Sequence, residues 1–350
     1  MGLAWAAIAI GLVAAAGGLL WLRMRRSFQR AMAAVWRAGY VERQTTIAGT
    51  RLNYAEGPAG GAPLLLVHGQ ATDWKNYARV LPDLARRFHV FAVDVHGHGA
   101  SDRAPSKYDT QSIGADLVAF IREVIGEPAV ISGHSSGGLL CVWIAAHAPA
   151  MVRGVVLEDP PLFTTLLPRA EKTWNYVDLA TTAQRFVTSG EDDFVAFAAR
   201  HGKLFTLFKG LQPRLVRSVL EHRDAHPDAP VSVAYMPPSI NEFFRGLHRY
   251  DPRFGQAFYD GRWNRGLEDP AEALATLEMP VVLIHANWSY DEDGILMAAM
   301  DEADAQRAVD CIPNVRFVRV NSGHGFHFEK PKQFVQLLAD CLSRDSGCAS

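Results

Sequence analysis

Cysteine is scarce in this chain, and none of its four residues stands in a CxxC pair. Cys141, Cys311, Cys341 and Cys348 thus show neither metal-type spacing nor the pattern of a disulfide framework, and they fit free thiols in a reducing compartment. An excess of one charge is also missing, since 35 Lys and Arg stand against 37 Asp and Glu, a formal net charge of −2. No global field of the kind that marks a nucleic-acid binder follows from that balance, so no nucleic-acid partner is expected. There is no nucleotide or phosphate-binding glycine motif and no internal repeat, and no cofactor is expected. What is plentiful is apolar side chain, 49% of 350 residues, enough to bury a large core and to exclude a disordered or fibrous chain.

The apolar residues are unevenly placed. The opening run "MGLAWAAIAIGLVAAAGGLLWL" carries no charged side chain, and Arg23, Arg25 and Arg26 follow it at once. At 1.5 Å per residue the run is long enough to cross the hydrocarbon core of a bilayer. A secretory signal places positive charge before its apolar region, whereas here the arginines come after, so residues 1–26 read as an uncleaved transmembrane anchor. The expectation is a single-pass membrane protein with its main domain in the cytoplasm. A cleaved signal and a docking helix are the alternatives. Over residues 27–40, Phe28, Met32, Trp36 and Tyr40 recur every four residues with Arg30 and Arg37 nearby, an amphipathic helix that either lies on a membrane or packs on its own domain.

Beyond residue 40 the periodicity changes. "TTIAGTRLNYAEGP" reads as a hairpin around Ala48-Gly49. "PLLLVHG", "HVFAVDVHG", "PAVISG" and "VRGVVLED" then read as buried strands alternating with helical segments such as "DTQSIGADLVAFIREVIG". That alternation predicts an α/β fold, a mostly parallel twisted sheet with helices on both faces. It makes residues 41–159 the first part of a core. The pattern stops at Pro160 and resumes near Met279, and an interval that long is an inserted unit, not a loop; residues 160–278 read as a mostly helical cap and 279–350 as the rest of the core.

Between a strand and a helix stands "GHSSG", Gly133 to Gly137, which fits GxSxG. In that setting glycines allow a sharp turn that exposes the central side chain, so Ser135 is the candidate nucleophile and Ser136 a backbone N–H donor at the helix head. His134 reads as a packed residue. With these motifs the chain resembles the α/β-hydrolase superfamily, specifically its cap-containing, serine-nucleophile esterase and lipase-like branch. The resemblance implies that "LVHGQATDW" is the oxyanion loop, with His68-Gly69 structural and Gln70 N–H a donor, and that "DVHGHGASD" shapes the floor near the site. It also explains the His96 and His98 spacing without a metal. Near the C-terminus "NSGHGFHFEKPKQF" resembles the family's catalytic-histidine loop, implying His324 as base and His327 in a supporting role.

The acid departs from the pattern. The place where many relatives carry Asp falls on Ser289 in "HANWSYDEDG", and serine has no charge to hold an imidazolium. Two candidates remain open, Asp291 (with Asp293 behind it) and Asp159 at the end of "VRGVVLED", since some relatives draw their acid from that strand. A serine at the turn excludes the Asp-nucleophile chemistry that opens epoxides. The expectation is a hydrolase that cleaves an ester-type or related carbonyl through an acyl-enzyme, on a small, apolar acyl substrate. The alternatives are a non-catalytic binding protein on the same scaffold, or an acyltransferase, lyase or perhydrolase.

Overall fold

The computed structural model describes residues 26–343. The apolar run at 1–22 lies outside the described residues; among those described, no helix is long and apolar enough to cross a membrane. The segment after it forms helix α1 (Ser27–Arg37), which buries Met32 and Val35. Trp36 meets Trp74 edge-on at 5.7 Å and the Arg245 guanidinium lies 4.7 Å over the Phe28 ring, so the apolar stripe of this helix packs on the protein's own body.

Eight strands form one sheet: β1 (Val41–Ile47), β2 (Thr50–Glu56), β3 (Ala62–Val67), β4 (Phe88–Val93), β5 (Ala129–His134), β6 (Val152–Glu158), β7 (Val281–His285) and β8 (Val315–Arg319). Their order is β1-β2-β4-β3-β5-β6-β7-β8. The β1–β2 and β2–β4 pairs are antiparallel, and all pairs from β4 across to β8 are parallel. Because side chains alternate along a strand, each apolar strand feeds two cores. Leu65 and Val67 of β3 join Ile131, Val155 and Leu283 on one face, while Leu64 and Leu66 join Val130, Val156 and Ile284 on the other.

The helices follow the same division. Helices α2 (Thr110–Phe120) and α3 (Ser136–His147) cover the first face; the interval after β6 contributes α4 (Thr181–Val187), α5 (Phe194–His201), α6 (Gln212–Ala225), α7 (Pro238–Leu247), α8 (Pro252–Tyr259) and α9 (Pro270–Ala275). The last of these, α9, packs against α3 and against α10 (Glu302–Cys311). The final helix α11 (Pro331–Ser343) lies with α1 on the second face.

Parallel register brings four loops to one edge of the sheet. Val67 pairs with Gly133, His134 with Glu158, and Glu158 with Ile284, so the residues that follow β3, β5, β6 and β7 emerge side by side. Crevices beyond the C-terminal ends of such strands are where open α/β sheets bind ligands.

Candidate active site

Ser135 sits at the turn from β5 to α3 with φ 53° and ψ −124°. A left-handed serine is costly, and it is held there by its own N–H, which donates to Glu158 O at 2.9 Å, and by Gly138 N–H, which donates to Ser135 O at 2.8 Å. The flanking glycines are required by close approach: a Cβ on Gly133 would lie 2.2 Å from Gly137 O, and one on Gly137 2.2 Å from Val67 O. Five non-glycine residues have positive φ among the described residues, and three of them, Ala71, Ser135 and Asp159, belong to these strand-end turns. Strain is therefore concentrated where the candidate residues lie.

Asp159 is the second of these. It follows β6, its N–H donates to Ile284 O at 2.9 Å, and it is 1% exposed. Ala286 N–H donates to its Oδ1 at 3.1 Å, while its Oδ2 accepts from His324 Nδ1 at 2.6 Å. Asp291 is elsewhere. It is exposed in the β7–α10 loop, where its Oδ1 accepts the N–H groups of Asp293 (3.0 Å) and Ile295 (2.8 Å), a turn-capping role. Asp293 is exposed in the same turn. Leu296 of that loop exchanges backbone hydrogen bonds with Lys172 and Trp174 of the cap, at 2.9 Å each. The loop is thus drawn toward the cap, and the structure brings Asp159, not Asp291, to the histidine.

The His324 side chain keeps 43% of its surface open. Partial desolvation opposes a charge on the ring, but the hydrogen bond and charge of Asp159, with Glu158 behind, outweigh it and hold the His324 pKa above its ordinary value. Ser135 and His324 line the same cavity of about 300 Å³, with no hydrogen bond between them; such contacts commonly tighten only when substrate binds. Gln70 and Ser136 line it too, and among the described residues neither backbone N–H has a protein acceptor. For Ser136 that follows from its place at the head of α3, where the first N–H groups have no intrahelical partner. A hydroxyl, an imidazole with a carboxylate behind it and two unengaged backbone donors are the parts that nucleophilic acyl transfer needs.

The other histidines support this edge. Burial pushes His134 down to about 3, so its ring is neutral; its Nε2 donates to His324 O at 2.9 Å and its ring lies 4.6 Å from that of His324. His98 Nε2 accepts the Ala71 N–H at 3.1 Å and His68 Nε2 accepts the Val95 N–H at 2.9 Å, and both rings are kept neutral by burial. They brace the Gln70 loop. His96 Nε2 is taken by Asp116 Oδ2 at 2.7 Å. The Gln70 side chain in turn donates to Tyr250 Oη of the cap at 2.7 Å.

One functional pair escaped sequence reasoning. Glu158, wholly buried, accepts the backbone N–H of His327 at 2.8 Å and faces its Nδ1 at 2.8 Å with both carboxylate oxygens, while His327 Nε2 lies 2.7 Å from Asn76 Oδ1. This pair clamps the histidine loop to the strand that carries Asp159. The signal was present as a glutamate ending the apolar strand "VRGVVLED", because a charge buried there needs a partner.

Residues 62–331 match the model of a family described as alpha/beta hydrolase fold, and the chain belongs to that family. Among curated proteins it is 33% identical over 121 residues to 2-(acetamidomethylene)succinate hydrolase of Mesorhizobium japonicum, covering 34% of this chain and 43% of that one. It is 35% identical over 125 residues to a non-heme chloroperoxidase of Streptomyces lividans, covering 34% and 45%. The chain thus spans less than half the length of these relatives. Among solved structures it resembles a bacterial membrane phospholipase A with TM-score 0.64 at 19% identity, over 99% of this chain and 100% of that one, a likeness of fold.

Proposed function

We propose that this protein is a serine hydrolase that cleaves an ester-type carbonyl substrate through an acyl-enzyme on Ser135. His324 takes the serine proton and returns it to the leaving group, Asp159 holds the ring's tautomer and its charge, and the N–H groups of Gln70 and Ser136 stabilise the oxyanion. The observation that carries this reading is the 2.6 Å contact of Asp159 Oδ2 with His324 Nδ1 beside a cavity that also holds the strained Ser135. Segment "WNYVDLATTAQRF" supplies Trp174 and Leu179 to that cavity, and Phe243 and Phe258 add to it, which supports a substrate with an apolar acyl part.

The apolar run at residues 1–22 and the arginines after it support membrane attachment with the hydrolase domain on the cytoplasmic side, and hence a membrane-partitioning substrate. The test of the chemistry is labelling by a fluorophosphonate together with hydrolysis of nitrophenyl esters. Both are expected in the parent chain and both are expected to vanish in Ser135→Ala. A folded parent that neither labels nor turns over refutes the proposal. For the membrane, a chain lacking residues 1–26 is expected to lose rate on vesicle-borne substrate while keeping it on soluble ester; equal rates on vesicles refute attachment as a functional feature.

A further inference from the structure

The cavity wall has a charge asymmetry. Among the described residues, no lysine or arginine lines it, and its ionisable side chains are His134, His324 and Asp178. Its threonines turn their donors away from the cavity: Thr72 Oγ1 donates to Gly69 O, Thr164 Oγ1 to Ala299 O, and Thr165 Oγ1 to Asn264 Oδ1. A carboxylate on a ligand would find the oxyanion N–H groups, the Asn175 amide and the Trp174 indole as donors, but no lysine or arginine among the described lining residues.

Asp178 points the preference the other way. It is 6% exposed and accepts Leu204 N–H at 3.0 Å, yet among the described residues it has no cationic side chain paired with it, unlike Asp73 with Arg245 or Glu158 with His327. Lys203, nearby, is exposed and does not line the cavity. Burial pushes the Asp178 carboxyl up from its ordinary value, against the pull of the Lys203 and Leu204 backbone and the Lys203 charge. A buried carboxylate held by backbone N–H groups and the charge of an exposed lysine, with no side-chain ion pair among the described residues, is still costly, and a cation entering the cavity offsets that cost. Trp174 lines the same wall and adds a π surface that favours a cation.

We propose that Asp178 is a specificity-determining residue that makes this cavity select substrates bearing a cationic group remote from the scissile carbonyl and reject those bearing a carboxylate. The proposal rests on the reading of the cavity as the hydrolase site. Its test uses matched nitrophenyl esters of equal length ending in trimethylammonium, methyl or carboxylate, with the full chain and Asp178→Asn, which retains an acceptor for Leu204 N–H.

The parent is expected to show the highest kcat/KM on the cationic ester and the lowest on the anionic one. In Asp178→Asn the cationic-to-anionic ratio is expected to fall about tenfold, chiefly through KM. A parent that prefers the carboxylate ester, or a variant that loses rate equally on all three, overturns the proposal and leaves Asp178 as an anchor of the cap. Calorimetric binding of an alkyltrimethylammonium and an alkyl carboxylate to the parent reads the same preference without turnover. Failure of fluorophosphonate labelling with the cation still preferred therefore removes only the hydrolase reading, and labelling without preference removes only this one.

Discussion

Glu158 and Asp159 are consecutive carboxylates at the end of one strand, and each meets a histidine of the same loop, yet the two pairs have different surroundings. Glu158 and His327 are both wholly buried, so no substrate atom reaches them. Asp159 is buried too, but its partner His324 keeps 43% of its side chain open to the cavity. The difference follows from strand alternation: the turn to positive φ at Asp159 sends its carboxylate to the cavity edge, whereas Glu158 still obeys the pleat and points into the second core. The same pair of side-chain types thus meets the cavity in one case and places a loop in the other.

The largest test of this contrast is Asp159→Asn. It is expected to lower kcat about 10⁴-fold, roughly 5.5 kcal/mol on the barrier, with little change in urea midpoint, since the charge that stabilises the imidazolium is lost and the fold is not. A loss of only a few fold would place the acid elsewhere.

Glu158→Gln reverses the pattern. Breaking a buried pair on one side is expected to cost about 3 kcal/mol of unfolding free energy, read from urea denaturation, with a smaller loss in kcat than Asp159→Asn gives. The sign of its pH dependence can be worked out. Burial raises the Glu158 pKa, but the charge and hydrogen bonds of His327 outweigh it and hold the carboxyl below its usual 4.5. Its stabilising contribution is therefore present above that value and is lost as pH falls through the depressed one. Acid unfolding of the parent is expected to flatten in the Gln variant.

Smaller still is the pH profile of activity. His324 must be neutral to accept the serine proton, and its pKa is raised, so the acidic limb of kcat/KM is expected to have its midpoint above 6.5. In residual activity of Asp159→Asn the midpoint moves down. An unmoved midpoint would mean that another group sets the limb. The smallest effect belongs to Asp291→Ala, expected to leave kcat within about twofold and stability within about 1 kcal/mol, because it removes only the cap of an exposed turn.

The alternation of strands and helices, the hairpin at Ala48-Gly49 and the helical insertion were readable because each rests on local periodicity and turn chemistry. Ser135 and His324 were readable as candidates for a similar reason, since the first needs glycines at fixed neighbours and the second stands in a loop of recognisable form. Two matters were not. The choice between Asp159 and Asp291 depends on β6 lying between β5 and β7, a pairing of segments more than a hundred residues apart in the case of β6 and β7. The docking of α1 depends on Trp74 and Arg245, which lie far from it in the chain.

By itself, then, the sequence determined which backbone turns are possible and which side chains they expose, because steric limits on φ and ψ act over a few residues. Only the tertiary structure decided which carboxylate reaches His324, which one is buried beside His327, and that Asp178 lines the cavity with no side-chain ion pair among the described residues. Those are distances between segments remote in the chain, and they are set by sheet register and packing, which no local pattern encodes.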